Sequence, residues 1–174
     1  MTKNELIFAL KELDRYVENS IEIVIIGGAA MVLYYGSTRA TSDIDTLVSQ
    51  GRFQEIRMGI MKVSEKLDLP ENWLNESAKG FVDILPPDFV DYLISIPLET
   101  KYLKLYVLGL AEQTAMKIVA LRERDLADLE LLIPQLTDFH KERLIKIVEN
   151  LHTKRKDWAL RLYFFMIEKG WRTE

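Results

Sequence analysis

Two aspartates separated by one residue, Asp43 and Asp45, have the type and spacing that a chemical site requires. Side chains alternate between the two faces of a β-strand, so both carboxylates would project from one side, ~7 Å apart along the chain. The intervening Ile44 would then point into the core. Like charges this close repel unless a cation lies between them, and Mg²⁺ prefers oxygen ligands. The pair therefore predicts a Mg²⁺ site.

Gly27 and Gly28 follow a run of β-branched residues and precede a short helical pattern. Without a Cβ, glycine lets backbone N–H groups approach a phosphate closely, and the start of a helix favours anions. Arg39, which lies shortly before the acidic pair, could clamp a triphosphate through two hydrogen bonds. These residues predict a phosphate-binding turn.

Together, the two features indicate metal-assisted phosphoryl chemistry on a nucleoside triphosphate (NTP). Mg²⁺ would neutralise the triphosphate and orient an attacking hydroxyl for in-line displacement, with pyrophosphate as the leaving group. The glycines are not followed by the Gly-Lys-Ser/Thr of a P-loop, and they do not form the G-x-G-x-x-G of a dinucleotide fold.

Each residue of this set also fits a purely structural role. An Asp-x-Asp pair can cap a turn, and a strand-to-helix turn often needs glycine for its backbone conformation. Arg39 fits a structural ion pair with the aspartates as well as it fits a phosphate clamp. The combination of the features favours the chemical interpretation.

Gly-Gly after one strand and Asp-x-Asp on the next resembles the nucleotidyltransferase superfamily. Three segments are similar to a bacterial family of uncharacterised nucleotidyltransferase-like proteins: Ile26-Gly27-Gly28-Ala29-Ala30, Arg39 through Asp45, and Trp73-Leu74-Asn75. The resemblance implies an α+β fold with a mixed β-sheet flanked by helices. It also implies a third carboxylate on a further strand, and Asp83, between Val82 and Ile84, has the expected context.

A later segment, from Ala115 through Leu129, is similar to the AbiEii-type toxins. By that resemblance Lys117 would contact phosphate, and Asp125 or Asp128 would contribute to catalysis. The same residues are also compatible with structural roles. Lys117 could be a surface lysine that extends along an apolar helix, and Asp125 could be part of an acidic first helical turn.

Periodicity predicts a sheet-rich part followed by a helical part, divided near Gly109 into residues 1–109 and 110–174. The expected strands are 21–26, 43–48, 81–85, 92–96 and 102–108. The expected helices are 4–18, 29–35, 53–67, 111–122, 126–132, 141–151 and 158–169. We expect the helical part to pack on the core.

Composition restricts location and partners. Hydrophobic residues make up 48% and charged residues 29%, which is typical of a folded protein, and the net charge of −4 gives no general attraction to DNA or to membranes. The chain has no cysteine and no apolar segment of membrane-spanning length. We therefore expect a cytoplasmic protein. The basic run Lys154-Arg155-Lys156 is the one hint of an RNA partner, although such runs are usually solvated.

The sequence thus predicts a Mg²⁺-dependent nucleotidyltransferase that moves a nucleotidyl group from an NTP to a hydroxyl of RNA or protein. A toxin–antitoxin system with a cognate partner protein is one expected setting. Two alternatives stay open: a non-catalytic nucleotide-binding or antitoxin-like module, and a helical scaffold for protein interactions.

Overall fold

The computed structural model describes residues 1–48 and 52–171, apart from the side chain of Ala78. These residues form two compact units. The sheet unit contains residues 1–79 and 93–108, and the helical unit contains residues 80–92 and the chain from residue 109 onward. Residues 80–92 therefore group with the helices, although their sequence pattern suggested a strand of the sheet part.

The sheet unit is built on five strands: β1 (Ile21–Ile26), β2 (Ile44–Val48), β3 (Leu74–Asn75), β4 (Ile94–Ser95) and β5 (Leu103–Val107). Their order in the sheet is β3-β2-β1-β5-β4. The central strand β1 is antiparallel to β2 and parallel to β5, so the sheet is mixed. All of the β1 side chains except Glu22 are buried, which explains why the other five residues are isoleucine or valine. The expected α+β class is confirmed.

Three helices belong to this unit: α1 (Lys3–Asp14), α2 (Gly27–Leu33) and α3 (Phe53–Leu67). Helix α1 ends at Asp14 rather than near Glu18, and the Asp14 carboxylate accepts hydrogen bonds from the backbone N–H groups of residues 101–103 at 2.7–2.8 Å. Gly59 of α3 lets α1 approach closely, since a Cβ there would lie 2.8 Å from the Leu13 side chain. These contacts fasten α1 to β5 and α3.

The helical unit contains α4 (Leu110–Ala120), α5 (Glu123–Leu132), α6 (Asp138–Lys154) and α7 (Lys156–Glu168). Arg143 of α6 is buried and holds the 80–92 segment in this unit. Its guanidinium donates two hydrogen bonds of 2.8 Å to Asp88 and one of 2.7 Å to Glu112. It also lies over the Tyr92 ring, 3.9 Å from the ring centre.

Two expectations about strands are wrong. Residues 81–85 do not form a strand but lie in and just after a 3₁₀ helix, Ser77–Ile84. A further 3₁₀ helix, Phe89–Tyr92, leads to β4, which is shorter than expected. The strand beside β2 is instead β3, which pairs with β2 in parallel. Within the described residues, no helix is long and apolar enough to cross a membrane.

Candidate active site

The Asp45 carboxylate lies against the backbone of Gly27. Asp45 of β2 pairs with Ile26, the last residue of β1, and Gly27 begins α2 directly after it. A Cβ on Gly27 would lie 3.4 Å from Asp45 Oδ2, and Gly27 has a positive φ of 65° that other residues rarely adopt. Strand pairing therefore brings the predicted phosphate turn and one predicted metal ligand together.

Asp43 lies just before β2 and is held by two polar neighbours. Its Oδ1 accepts a hydrogen bond of 2.8 Å from Ser42 Oγ, and its Oδ2 accepts one of 3.2 Å from Asn75 Nδ2. Ile44, between the two aspartates, is fully buried, whereas Asp43 and Asp45 are partly exposed. This alternation matches the expectation that both carboxylates project from the same face.

Thr41 lies between Arg39 and Asp43, on the segment that connects α2 to β2, and it contacts the surroundings of both Asp43 and Gly28. The Thr41 hydroxyl donates to the Asp43 carbonyl at 3.1 Å and lies 3.0 Å from the place that a Cβ on Gly28 would occupy. A side chain on Gly28 would therefore crowd the Thr41 hydroxyl. Arg39 is exposed, and its backbone N–H donates to Ser37 Oγ.

The residues present fit a Mg²⁺ ion that is shared with a substrate. Mg²⁺ is commonly bound through one or two carboxylates together with substrate phosphates and water. Asp43 and Asp45 supply such a pair, partly exposed and next to a glycine backbone. Among the described residues, no group of three or more histidine, aspartate or glutamate side chains is arranged to hold a metal.

Lys117, Asp125 and Asp128 come together within the helical unit. Lys117 Nζ lies 2.9 Å from Asp125 Oδ1 and 2.7 Å from Asp128 Oδ2, and all three residues are at most 5% exposed. Lys117 is therefore not a surface lysine. Asp125 Oδ2 also accepts a hydrogen bond from the Arg122 backbone N–H at the start of α5, as an acidic first turn would provide. A role for these residues in a nucleotide site stays a prediction.

Asp83 does not have the strand position for which it was singled out. It lies in the 3₁₀ helix Ser77–Ile84, its side chain is exposed, and its carbonyl accepts a hydrogen bond from Asn150. The helical turn arises because Phe81, Ile84 and Leu85 recur at helical spacing, whereas a half-buried strand needs strict alternation. The expectation of a third carboxylate on a strand at this position is therefore wrong.

A comparison with protein-family models identifies the family of the chain. Residues 4–168 match the model of a family described as "Nucleotidyltransferase of unknown function (DUF6036)". The chain belongs to this family. The match spans both units and includes every residue of the candidate site, so the nucleotidyltransferase resemblance is confirmed at the level of the family. Neither the curated proteins nor the solved structures contain a match, and the resemblance to the AbiEii-type toxins is not confirmed.

In this member of the nucleotidyltransferase family, the sequence interpretation missed two neighbours of Asp43. Asn75 was singled out only as part of the segment Trp73-Leu74-Asn75, and Ser42 only as part of the segment from Arg39 to Asp45, so neither was connected with Asp43. Ser42 could have been found, because a hydroxyl next to Asp43 is close in sequence. Asn75 could not, since its contact with Asp43 depends on the pairing of the short strand β3 with β2.

Proposed function

We propose that this chain is a Mg²⁺-dependent nucleotidyltransferase that moves a nucleotidyl group from a cytoplasmic NTP to a hydroxyl of RNA or protein. The observation that carries the proposal is the closeness of Asp45 to Gly27: Asp45 Oδ2 lies 3.4 Å from the place that a Cβ on Gly27 would occupy. Membership of a nucleotidyltransferase family over residues 4–168 supports it. A carboxylate beside a residue without a side chain suits a metal-bound triphosphate.

Asp43 and Asp45 would hold the Mg²⁺ of an incoming NTP. When bound, the metal would neutralise charge on the triphosphate and favour departure of pyrophosphate. Ser42 and Asn75 donate hydrogen bonds to Asp43 and so orient its carboxylate. A fixed carboxylate loses less conformational freedom when it binds a ligand.

Gly27, Gly28 and Arg39 would bind the triphosphate itself. A side chain on Gly27 would contact the Asp45 carboxylate, and one on Gly28 would crowd the Thr41 hydroxyl, so at both positions glycine keeps the backbone uncovered by a side chain. Helix α2 has only seven residues, so the proposal depends on this close backbone approach rather than on a helix dipole. Arg39 is exposed on the connection that Thr41 ties to Asp43, from which its guanidinium would reach the phosphates.

The second candidate function is a nucleotide-binding module that does not transfer the nucleotide. It is favoured by the position of Asp83, which lies in a 3₁₀ helix rather than on a strand beside the aspartate pair. Nucleotidyl transfer commonly uses two metal ions, and the second ion is weakened when no further carboxylate reaches it. Binding of Mg²⁺ and NTP without release of pyrophosphate would distinguish this function from transfer.

A toxin–antitoxin setting is a further part of the proposal, and it is based on the similarity of residues 115–129 to AbiEii-type toxins. In that setting a cognate partner protein would restrain the activity. Induced expression of the wild-type chain in a bacterial host should then arrest growth, and Asp45→Asn should relieve the arrest. Equal growth of the two cultures at equal protein levels would remove this part of the proposal.

The test of transfer uses the full chain, Mg²⁺ and each NTP labelled at the α-phosphate, with total RNA and total protein as acceptors. We expect pyrophosphate release and label on one acceptor with the wild type, and neither with Asp45→Asn. Asp138→Asn is the matched control, because that aspartate is highly exposed and pairs only at the surface with Lys141. Equal pyrophosphate release by the wild type and Asp45→Asn would contradict the proposal.

A further inference from the structure

Ser42 is an exposed serine next to a carboxylate of the proposed metal site. Its Oγ donates a hydrogen bond to Asp43 Oδ1 at 2.8 Å. A nucleophilic hydroxyl and the group that takes its proton typically lie roughly 2.6–3.2 Å apart. The function proposed above requires a hydroxyl as acceptor, and Ser42 supplies one from the chain itself.

The backbone on both sides of Ser42 is held by hydrogen bonds. On one side, the Thr41 N–H donates to the Met1 carbonyl at 2.9 Å, and the Met1 ammonium donates to the Thr41 carbonyl. On the other side, Asp43 Oδ2 accepts a hydrogen bond of 3.2 Å from Asn75 Nδ2. Ser42 therefore presents its hydroxyl from a fixed position, which reduces the entropy that is lost when two groups react.

The neighbouring hydroxyl groups are placed differently. Thr41 Oγ1 donates to the Asp43 carbonyl at 3.1 Å and not to its carboxylate. Ser37 is buried, with an exposed fraction of 7%, and Thr46 is fully buried. Of these four hydroxyls, the one of Ser42 combines exposure with a hydrogen bond to the Asp43 carboxylate.

We propose that Ser42 is a self-modification site, at which the chain transfers a nucleotidyl group from a bound NTP to its own serine hydroxyl. This inference rests on the transfer function proposed above. Ser42 Oγ forms a bond to the α-phosphorus of the NTP as the bond to pyrophosphate breaks. Pyrophosphate leaves with the electron pair, and the hydroxyl proton passes through the hydrogen bond to Asp43 Oδ1 and on to water.

The modification restrains the site that makes it. A nucleotidyl group on Ser42 places a negatively charged phosphodiester beside Asp43, where the next triphosphate would have to bind. The two anions repel each other, and the modified serine can no longer donate its hydrogen bond to Asp43. Each chain therefore modifies itself once and then binds NTP weakly.

Mass spectrometry of the full chain, incubated with Mg²⁺ and each NTP but no other acceptor, detects the modification. We expect one nucleotidyl group per chain, and fragment ions of the tryptic peptide 40–52 should assign it to Ser42. Ser42→Ala should gain no such mass. Ser95→Ala is the matched control, because it removes an exposed serine from β4 of the same unit and should be modified like the wild type. A nucleotidyl group on Thr41 or on another residue in place of Ser42 would overturn the proposal.

Transfer within one molecule is tested by mixing the wild type with an isotope-labelled Asp45→Asn chain. The variant keeps Ser42 but lacks one proposed metal ligand. Only the wild type should gain the nucleotidyl group, at a rate per chain that does not depend on protein concentration. Modification of the Asp45→Asn chain would show transfer between molecules and would contradict self-modification.

The restraint on the site is measured by binding, without any transfer. An NTP analogue with a methylene bridge between the α- and β-phosphates cannot release pyrophosphate. With Mg²⁺, it should raise the melting temperature of the unmodified wild type, and the modified chain, freed of nucleotide, should lose this rise. An equal rise before and after modification would overturn the restraint.

The same binding measurement separates the two proposals. Wild type that binds the analogue but never gains a nucleotidyl group on Ser42 would overturn the self-modification and leave the proposed function standing. Wild type that binds neither the analogue nor any NTP would instead overturn the proposed function itself.

Discussion

Asp45 Oδ2 lies 3.4 Å from the point where a side chain on Gly27 would begin, so Asp45 and Gly27 form one surface. The contact follows from the register of β1 and β2, in which Ile26 pairs with Asp45. A single pair of strands thus explains why two sequence features that lie far apart along the chain are neighbours in the fold.

Gly27→Ala is predicted to abolish binding of Mg²⁺ and NTP. The added methyl group would contact the Asp45 carboxylate and cover the backbone that the triphosphate needs. The positive φ of 65° adds a strain of about 1–2 kcal/mol to the folded state. Isothermal titration with each NTP in the presence of Mg²⁺ measures the binding.

Gly170→Ala is the matched control for that strain. Gly170 has a similar φ of 67°, and nothing lies within 4 Å of the place for its Cβ. Both variants should lose comparable stability, but only Gly27→Ala should lose nucleotide affinity. If the two variants bound NTP equally well, the Gly27 backbone would not be part of a phosphate site.

Lys117→Met is predicted to destabilise the helical unit by about 3–5 kcal/mol, because it leaves two buried carboxylates without their cation. Urea unfolding monitored by circular dichroism measures the change. Lys141→Met is the control, since it breaks a partly exposed pair worth at most about 1 kcal/mol.

A triple variant separates this structural effect from phosphate binding. Lys117→Met combined with Asp125→Asn and Asp128→Asn removes the buried charges together and should recover much of the stability. If the recovered protein still bound NTP like the wild type, Lys117 would not contact phosphate. If it folded but did not bind, the role implied by the toxin resemblance would be supported.

The Asp88–Arg143 ion pair is predicted to make stability depend on pH. Hydrogen bonds from Arg143 lower the pKa of Asp88 in the folded state below its ordinary value. Asp88 therefore contributes stability above its unfolded pKa of about 3.9, and this contribution is lost as pH falls through the lower folded value. Burial opposes the charge of Arg143, but its hydrogen bonds to Asp88 and Glu112 outweigh burial and raise its pKa, so Arg143 stays charged throughout.

Denaturant unfolding of the wild type and Asp88→Asn from neutral to acidic pH measures this contribution. The difference in unfolding free energy should be constant down to a pH of about 4 and should shrink below it. Asp91→Asn, an exposed change in the same segment, controls for the general effect of acid. A difference that grew as pH fell would contradict the direction of the Asp88 shift.

The fold was predictable from sequence where a pattern was long or unambiguous. The six-residue, mostly apolar strand β1 and the fifteen-residue periodic pattern of α3 were both predicted with their boundaries. Residues 81–85 were misjudged because a short apolar run fits a strand and a helical turn about equally well. Strand β3 has two residues and is defined by its pairing with β2, which no local pattern encodes.

The candidate site was predictable to a similar degree. Gly27, Asp43 and Asp45 were identified from residue type and spacing, and the register of β1 with β2 accounts for the contact of Gly27 with Asp45. The position of Lys117 was left open, because local sequence does not show which face of α4 is covered. In the fold, Lys117 faces the interior, where its Nζ pairs with both Asp125 and Asp128.

The central claim is tested most directly by the thermal stability of the wild type and of Asp43→Asn combined with Asp45→Asn, with each NTP, with and without Mg²⁺. A ligand at 100 times its dissociation constant stabilises the folded state by about 2.7 kcal/mol. We predict that one or more NTPs raise the melting temperature of the wild type only when Mg²⁺ is present, and that the double variant shows no such rise. An equal rise in the wild type and the double variant, or no rise with any NTP, would contradict a nucleotide site at Asp43 and Asp45.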